Sequence, residues 1–229
     1  MNSTKKTARI AGLWYLMISI PGAFSLLYIP SHFIVSGDAG ATASKILASE
    51  FLFRIGILSE VIGFLGFIFV VRALYRLLSG VNKSYASLMV TLMLVSIPIS
   101  LLNVLNEIAA LKLVRGGGYL SVFDKGQLEA LAMLFLHLHF QGFVVAQVFW
   151  GLWLIPFGIL VYKSGFLPRI LGVLLIIACF GYLANSLDGF GVLPHGVSSV
   201  VGQLTICELP IILWLLIMGA RDQPLPTPA

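Results

Sequence analysis

Apolar residues gather into six long runs, near residues 10–29, 53–78, 85–111, 131–162, 168–187 and 197–219. A helix crossing about 30 Å of hydrocarbon needs about 20 residues, and every run is of that order. Lipid offers the backbone no hydrogen-bond partner, so spanning segments must be helices or strands of a closed barrel. These runs are far too long for barrel strands. The pattern predicts an all-α integral membrane protein, a six-transmembrane-helix bundle filling residues 1–221 as one domain. The fourth run exceeds the length required and is expected to tilt or protrude.

Breaks in the pattern are also readable. Pro21, Pro98, Pro156 and Pro210 fall within runs, and each removes a backbone donor and favours a bend. Pro168 instead opens the fifth helix, a place proline tolerates. Thr42–Glu50 reads as a helical turn or two ahead of the second run, and Gly116-Gly117-Gly118 as a flexible break. The Pro-rich end, 222–229, is expected to be a disordered cytoplasmic tail.

Polar positions inside the runs are few. Following the chain alternately outward and inward places Glu60, Asn103, Asn106, Glu107, His137, His139, Asn185, Gln203 and Glu208 mostly in the outer half. Such groups are costly in hydrocarbon and face a cavity or a partner. Ser96, Ser100, Asn103 and Glu107 follow three- and four-residue steps and so share one helix face. Gly56 and Gly63 flank Glu60 on its face and would let a neighbouring helix come close. Ala178, Tyr182, Asn185 and Gly189 share a face of the fifth helix. These stripes predict a polar pocket opening toward the outer leaflet.

Composition agrees with a membrane setting. Of 229 residues 59% are hydrophobic and 10% charged, against about 25% charged in an ordinary soluble domain. The net charge of +5 matters less than where the basic residues fall. One side collects Lys5, Lys6, Arg9, Arg72, Arg76, Lys83, Lys163, Arg169 and Arg221; the other has Lys45, Arg54, Lys112, Arg115 and Lys125. The richer side is that of both termini, which are therefore expected in the cytoplasm. No nucleic-acid partner is indicated, and the lipid bilayer is the expected surrounding. Lys5, Lys6 and Arg9 ahead of the first run also resemble a signal peptide cleaved near Gly22–Ser25, but five further spans favour an uncleaved first helix.

Candidate chemistry is sparse. His137 and His139 lie two residues apart, about 200° around a helix, so they cannot easily share one ion. No HExxH or Glu-x-x-His motif is present, and interhelical hydrogen bonding is preferred to a metal. Glu208 precedes Pro210, which would free the Ile206 carbonyl; this suits a proton carrier, a general acid or a structural hydrogen-bond donor. There is no Gly-x-Ser-x-Gly elbow and no phosphate loop. Arg54 is a candidate headgroup contact, although Glu50 one turn earlier offers it a routine pair. Cys179 and Cys207 read as packing residues, and no cofactor is specified.

Several stretches carry a resemblance. They are Arg9-Ile-Ala-Gly12 with Tyr15-Leu16, Phe53-Arg54, and Ala73-Leu-Tyr-Arg-Leu-Leu78 with Val81-Asn82. Phe149-Trp-Gly-Leu-Trp-Leu-Ile-Pro-Phe-Gly158, Ser164-Gly-Phe-Leu-Pro-Arg-Ile-Leu-Gly172, Glu208 and Trp214-Leu-Leu ending at Gly219 complete them. Together they resemble the domain of unknown function 4386 family of bacterial multi-pass membrane proteins. The resemblance implies a shared six-helix fold in a bacterial inner membrane and supplies no activity. Glu208 and Arg54 match its pattern.

The leading functional expectation is binding, with processing as an extension, of a small molecule or lipid headgroup in the polar pocket. A small transporter is the second reading, weakened by the lack of a polar path through the inner half. A membrane partner subunit, its polar groups merely tying helices together, is the third.

Overall fold

A computed structural model describes residues 3–221, and the predicted 222–229 tail lies outside the described residues. All described regular structure is helical. Among the described residues six helices are long and apolar enough to cross a membrane: Thr4–Phe33, Glu50–Leu78, Lys83–Arg115, Lys125–Lys163, Arg169–Gly189 and Gly196–Ile217. They coincide with the six predicted runs, extended by polar ends. The second gains Glu50, and the fourth starts at Lys125 because Asp124 and Gln127 cap it reciprocally. Each of those side chains accepts the other's backbone N–H, at 2.8 and 3.0 Å.

The prolines mark where the helices change character. Pro156 has no N–H to offer the Leu152 carbonyl, and the fourth span breaks into Lys125–Leu152 and Leu154–Lys163 at that point. A wide π-turn, Phe24–Tyr28, follows Pro21. Ahead of Pro210 the sixth span tightens to a 3-10 segment, Gly202–Glu208. Its tighter winding lets the Leu209 N–H reach the Ile206 carbonyl, so the acceptor expected to be free is taken. Pro98 sits in an unbroken helix, Lys83–Arg115.

Ahead of the second span lies the short helix Ala39–Ala48, capped by Asp38, whose Oδ1 accepts the Ala41 N–H at 2.8 Å. The glycine break after the third span is real: Gly116, Gly117 and Gly118 all have φ between 56° and 85°, a region other residues rarely enter.

The chain divides into two compact units. One comprises Met1–Met17, Gly66–Ile97 and Val144–Ala229; the other comprises Ile18–Leu65 and Pro98–Phe143. In the first, a Cβ at Gly158 would lie 2.6 Å from the Gly172 carbonyl oxygen, so the fourth and fifth spans cross with backbones nearly touching. Cys179 is buried there, and both it and Cys207 are free thiols. A cleft of about 410 Å³ lies between the second and third spans, lined by Arg72, Tyr75, Ser87 and Thr91 among apolar neighbours. In the second unit Ile29, Phe33, Ile46, Phe53, Ala110, Leu111 and Leu136 form a buried core. Leu58, Ile62, Leu102, Leu105, Leu134 and Phe140 are exposed, as surfaces facing lipid should be.

Candidate functional site

The second unit brings five of the predicted polar residues together. Glu60 comes from the second span, Asn103, Asn106 and Glu107 from the third, and His139 from the fourth. Their placement follows from local sequence. The stripe Ser96, Ser100, Asn103 and Glu107 is buried along its whole length, as the helical steps require. Glu60 is 2% exposed, and small neighbours let other helices close over it. A Cβ at Gly56 would lie 2.7 Å from the Ile29 side chain, and Gly63 faces the Gly22 backbone.

The two histidines part as the 200° separation demands. His137 is exposed among Leu134, Leu138 and Phe140, whereas His139 is buried. The objection to a shared metal concerns the pair, and it does not touch His139 alone. What decides which histidine turns inward is the next turn of helix. Gly142 and Ala146 follow on the His139 side, and the Asn103 amide occupies the space a Gly142 side chain would need.

Asn103 and His139 clamp one another. Asn103 Nδ2 donates to the His139 carbonyl at 2.7 Å, and Asn106 Nδ2 donates to Asn103 Oδ1 at 3.0 Å. His139 Nδ1 lies 3.2 Å from the Asn103 carbonyl oxygen. A carbonyl only accepts, so this contact requires the proton on Nδ1. In the neutral ring Nε2 then presents its lone pair to the carboxylates, 3.3 Å from Glu60 Oε2 and 3.7 Å from Glu107 Oε1. Neither approach meets hydrogen-bond geometry. Glu60 Oε1 and Glu107 Oε2 are buried without a hydrogen-bond partner. Phe143 packs edge-on against the imidazole, ring centroids 4.6 Å apart. Two carboxylates and one imidazole thus converge in a largely apolar enclosure, which a positive charge would neutralise.

Glu208 finds other company, in the first unit. Tyr15 donates its hydroxyl to Glu208 Oε1, and Tyr182 donates to Oε2 at 2.7 Å. Both carboxylate oxygens are therefore satisfied. Sequence reasoning does not mark Tyr15 as a site residue. The available signal is a single phenol deep in an apolar run, since a buried tyrosine hydroxyl needs a partner. Asn185 is half-buried against Gly202, where a Cβ would lie 2.9 Å from its Cγ, and Gln203 is exposed. Arg54 forms the expected pair with Glu50 at 2.7 Å, and Arg115 approaches the same carboxylate at 3.6 Å.

Comparison with known proteins adds membership without chemistry. A stretch of 78 residues is 36% identical to an "Uncharacterized protein" of Archaeoglobus fulgidus, covering 34% of this chain and 46% of that protein. The chain thus matches less than half the length of that relative. No solved structure matches the chain. The family described as "Domain of unknown function (DUF4386)" matches residues 10–219, nearly the whole chain, and the protein belongs to that family.

Proposed function

We infer that this multi-pass membrane protein binds a small polar ligand within its helices, at Glu60, Asn103, Asn106, Glu107 and His139. The observation that carries this reading is the pair of buried carboxylate oxygens, Glu60 Oε1 and Glu107 Oε2, that have no hydrogen-bond partner among the described residues. A buried carboxylate without partners is costly, and a ligand supplying positive charge or donors would offset that cost. Free small molecules and the cationic part of a lipid headgroup both fit this description. In this reading the termini are cytoplasmic and the site opens toward the outer leaflet of a bacterial inner membrane. Glu208 has a structural role instead, since its two tyrosines satisfy it.

The test is native mass spectrometry of protein gently extracted from its own host membrane. A bound species should be present in the wild type and in Glu208→Gln, and absent from Glu60→Gln and Glu107→Gln. The same bound species in all four proteins would overturn the reading.

A further inference from the structure

The geometry points to Glu60, Glu107 and His139 as the binding site of one divalent transition-metal ion of the zinc class, an inference that rests on the binding reading above. One ligand atom from each residue lies within 4.8 Å of the others. Tetrahedral coordination with bonds of about 2.0–2.1 Å sets donor atoms about 3.3–3.4 Å apart. The His139 nitrogen lies 3.3 and 3.7 Å from the two carboxylate oxygens, so only small side-chain adjustments separate this arrangement from coordination. An ammonium group at about 2.8 Å from each acceptor would spread them to about 4.6 Å. The two His139–carboxylate separations fit the smaller, monatomic ion, and the two carboxylates lie within 4.8 Å of each other.

The histidine is prepared for that task. Ligating imidazoles donate their second nitrogen to a carbonyl or carboxylate, which fixes the tautomer and aims the lone pair. His139 does so through Nδ1 to the Asn103 carbonyl at 3.2 Å, leaving Nε2 facing the carboxylates. Asn103 closes the clamp from the other side, through Nδ2 to the His139 carbonyl at 2.7 Å. A second observation is independent of the cluster's composition. Glu60, 2% exposed, directs into the same space a carboxylate with no hydrogen-bond partner on either oxygen. Three protein donors leave the fourth position of a tetrahedral ion for water or substrate, the pattern of reactive rather than purely structural zinc sites.

The experiment uses full-length protein purified in detergent with a histidine-free tag, stripped with chelator and dialysed against Zn²⁺. Elemental analysis should find one zinc per chain, and Co²⁺ in its place should give the intense visible absorption of a four-coordinate ion. Asn103→Ala, a positioning variant, should weaken zinc binding about 10–100-fold. Glu60→Gln, Glu107→Gln and His139→Gln should each weaken it further, while His137→Gln leaves it unchanged. Circular dichroism and gel filtration report whether each variant is folded. Wild-type protein that shows neither stoichiometric zinc nor the cobalt spectrum overturns the inference, whatever the variants do. So does zinc binding that survives all three ligand substitutions. If zinc fails while the native-mass ligand still depends on Glu60 and Glu107, the metal is wrong and the binding site stands. If neither depends on them, both readings fall.

Discussion

Gly142→Ala gives the sharpest test of how the polar cluster is assembled, because one methyl group should act through one side chain. An added Cβ at Gly142 would lie 2.6 Å from Asn103 Nδ2 and closer still to the amide carbon and oxygen. No real Cβ contact is that short, so the Asn103 amide must leave. Its departure breaks the 2.7 Å bond to the His139 carbonyl and the 3.0 Å bond from Asn106. Side-chain hydrogen bonds within membrane proteins average about 0.6 kcal/mol, with a maximum of about 1.7. Two of them therefore contribute about 1–3 kcal/mol, and overpacking adds about 1–3. Alanine's helix propensity returns about 1 kcal/mol. The net expectation is a loss of about 1–5 kcal/mol.

The assay is reversible unfolding by SDS in mixed micelles, followed by circular dichroism. Asn103→Ala should empty the space that the added methyl needs. In that background Gly142→Ala should cost almost nothing, so the coupling in the double-mutant cycle should be as large as its cost in the wild type, about 1–5 kcal/mol. Gly22→Ala is the control, since nothing lies within 4 Å of its added Cβ, and it should be neutral or stabilising. A Gly142→Ala protein as stable as wild type, or costs that add across the cycle, would refute the reasoning.

Other parts of the molecule give further expectations. Tyr15→Phe and Tyr182→Phe each remove one hydroxyl donor from the buried Glu208 carboxylate. Each should destabilise by about 1–3 kcal/mol in the same unfolding assay, and wild-type stability in either variant would show that its hydroxyl is dispensable. Gly12→Ala should cost several kcal/mol or prevent accumulation in the membrane, because the Cβ meets backbone atoms of Leu215 and Leu216 at 2.7 and 2.8 Å, which cannot rotate away. Normal expression and thermal stability would contradict that. A fluorescent protein fused to the C-terminus should be bright and a periplasm-dependent phosphatase in its place inactive, and the reverse pattern would reject the charge-based orientation.

How much of this is legible in the sequence depends on which physical quantity each feature reports. Spans are legible because twenty apolar residues in a row have few other uses, and all six correspond to helices. Helix faces are legible because three- and four-residue steps fix them: Ser96, Ser100, Asn103 and Glu107 are all buried. Which face meets which is not legible. Hydropathy gives a residue's depth but not its direction around the bundle, so sequence alone groups Glu208 with Glu60 and misses its tyrosine partners.

The His137 and His139 pair shows what signal does carry direction. Depth and residue type are the same for both, yet one is exposed and the other buried. The difference lies one turn on, where His139 is followed by Gly142 and Ala146, and His137 by Gln141. A small residue there makes room for a partner from another helix, here the Asn103 amide. Glu60 carries the same mark in Gly56 and Gly63. Glu208 does not: Leu204, Thr205, Ile211 and Ile212 surround it on its own helix, and it is instead reached by two tyrosines whose rings span the gap. In this protein, then, small residues beside His139 and Glu60 let a neighbouring helix come close, with the Asn103 amide at Gly142, the Ile29 side chain at Gly56 and the Gly22 backbone at Gly63. Glu208, beside larger residues, is met by two long side chains, Tyr15 and Tyr182. The metal inference concerns the first kind of place, where close backbones hold carboxylates and imidazole at ion-sized separations.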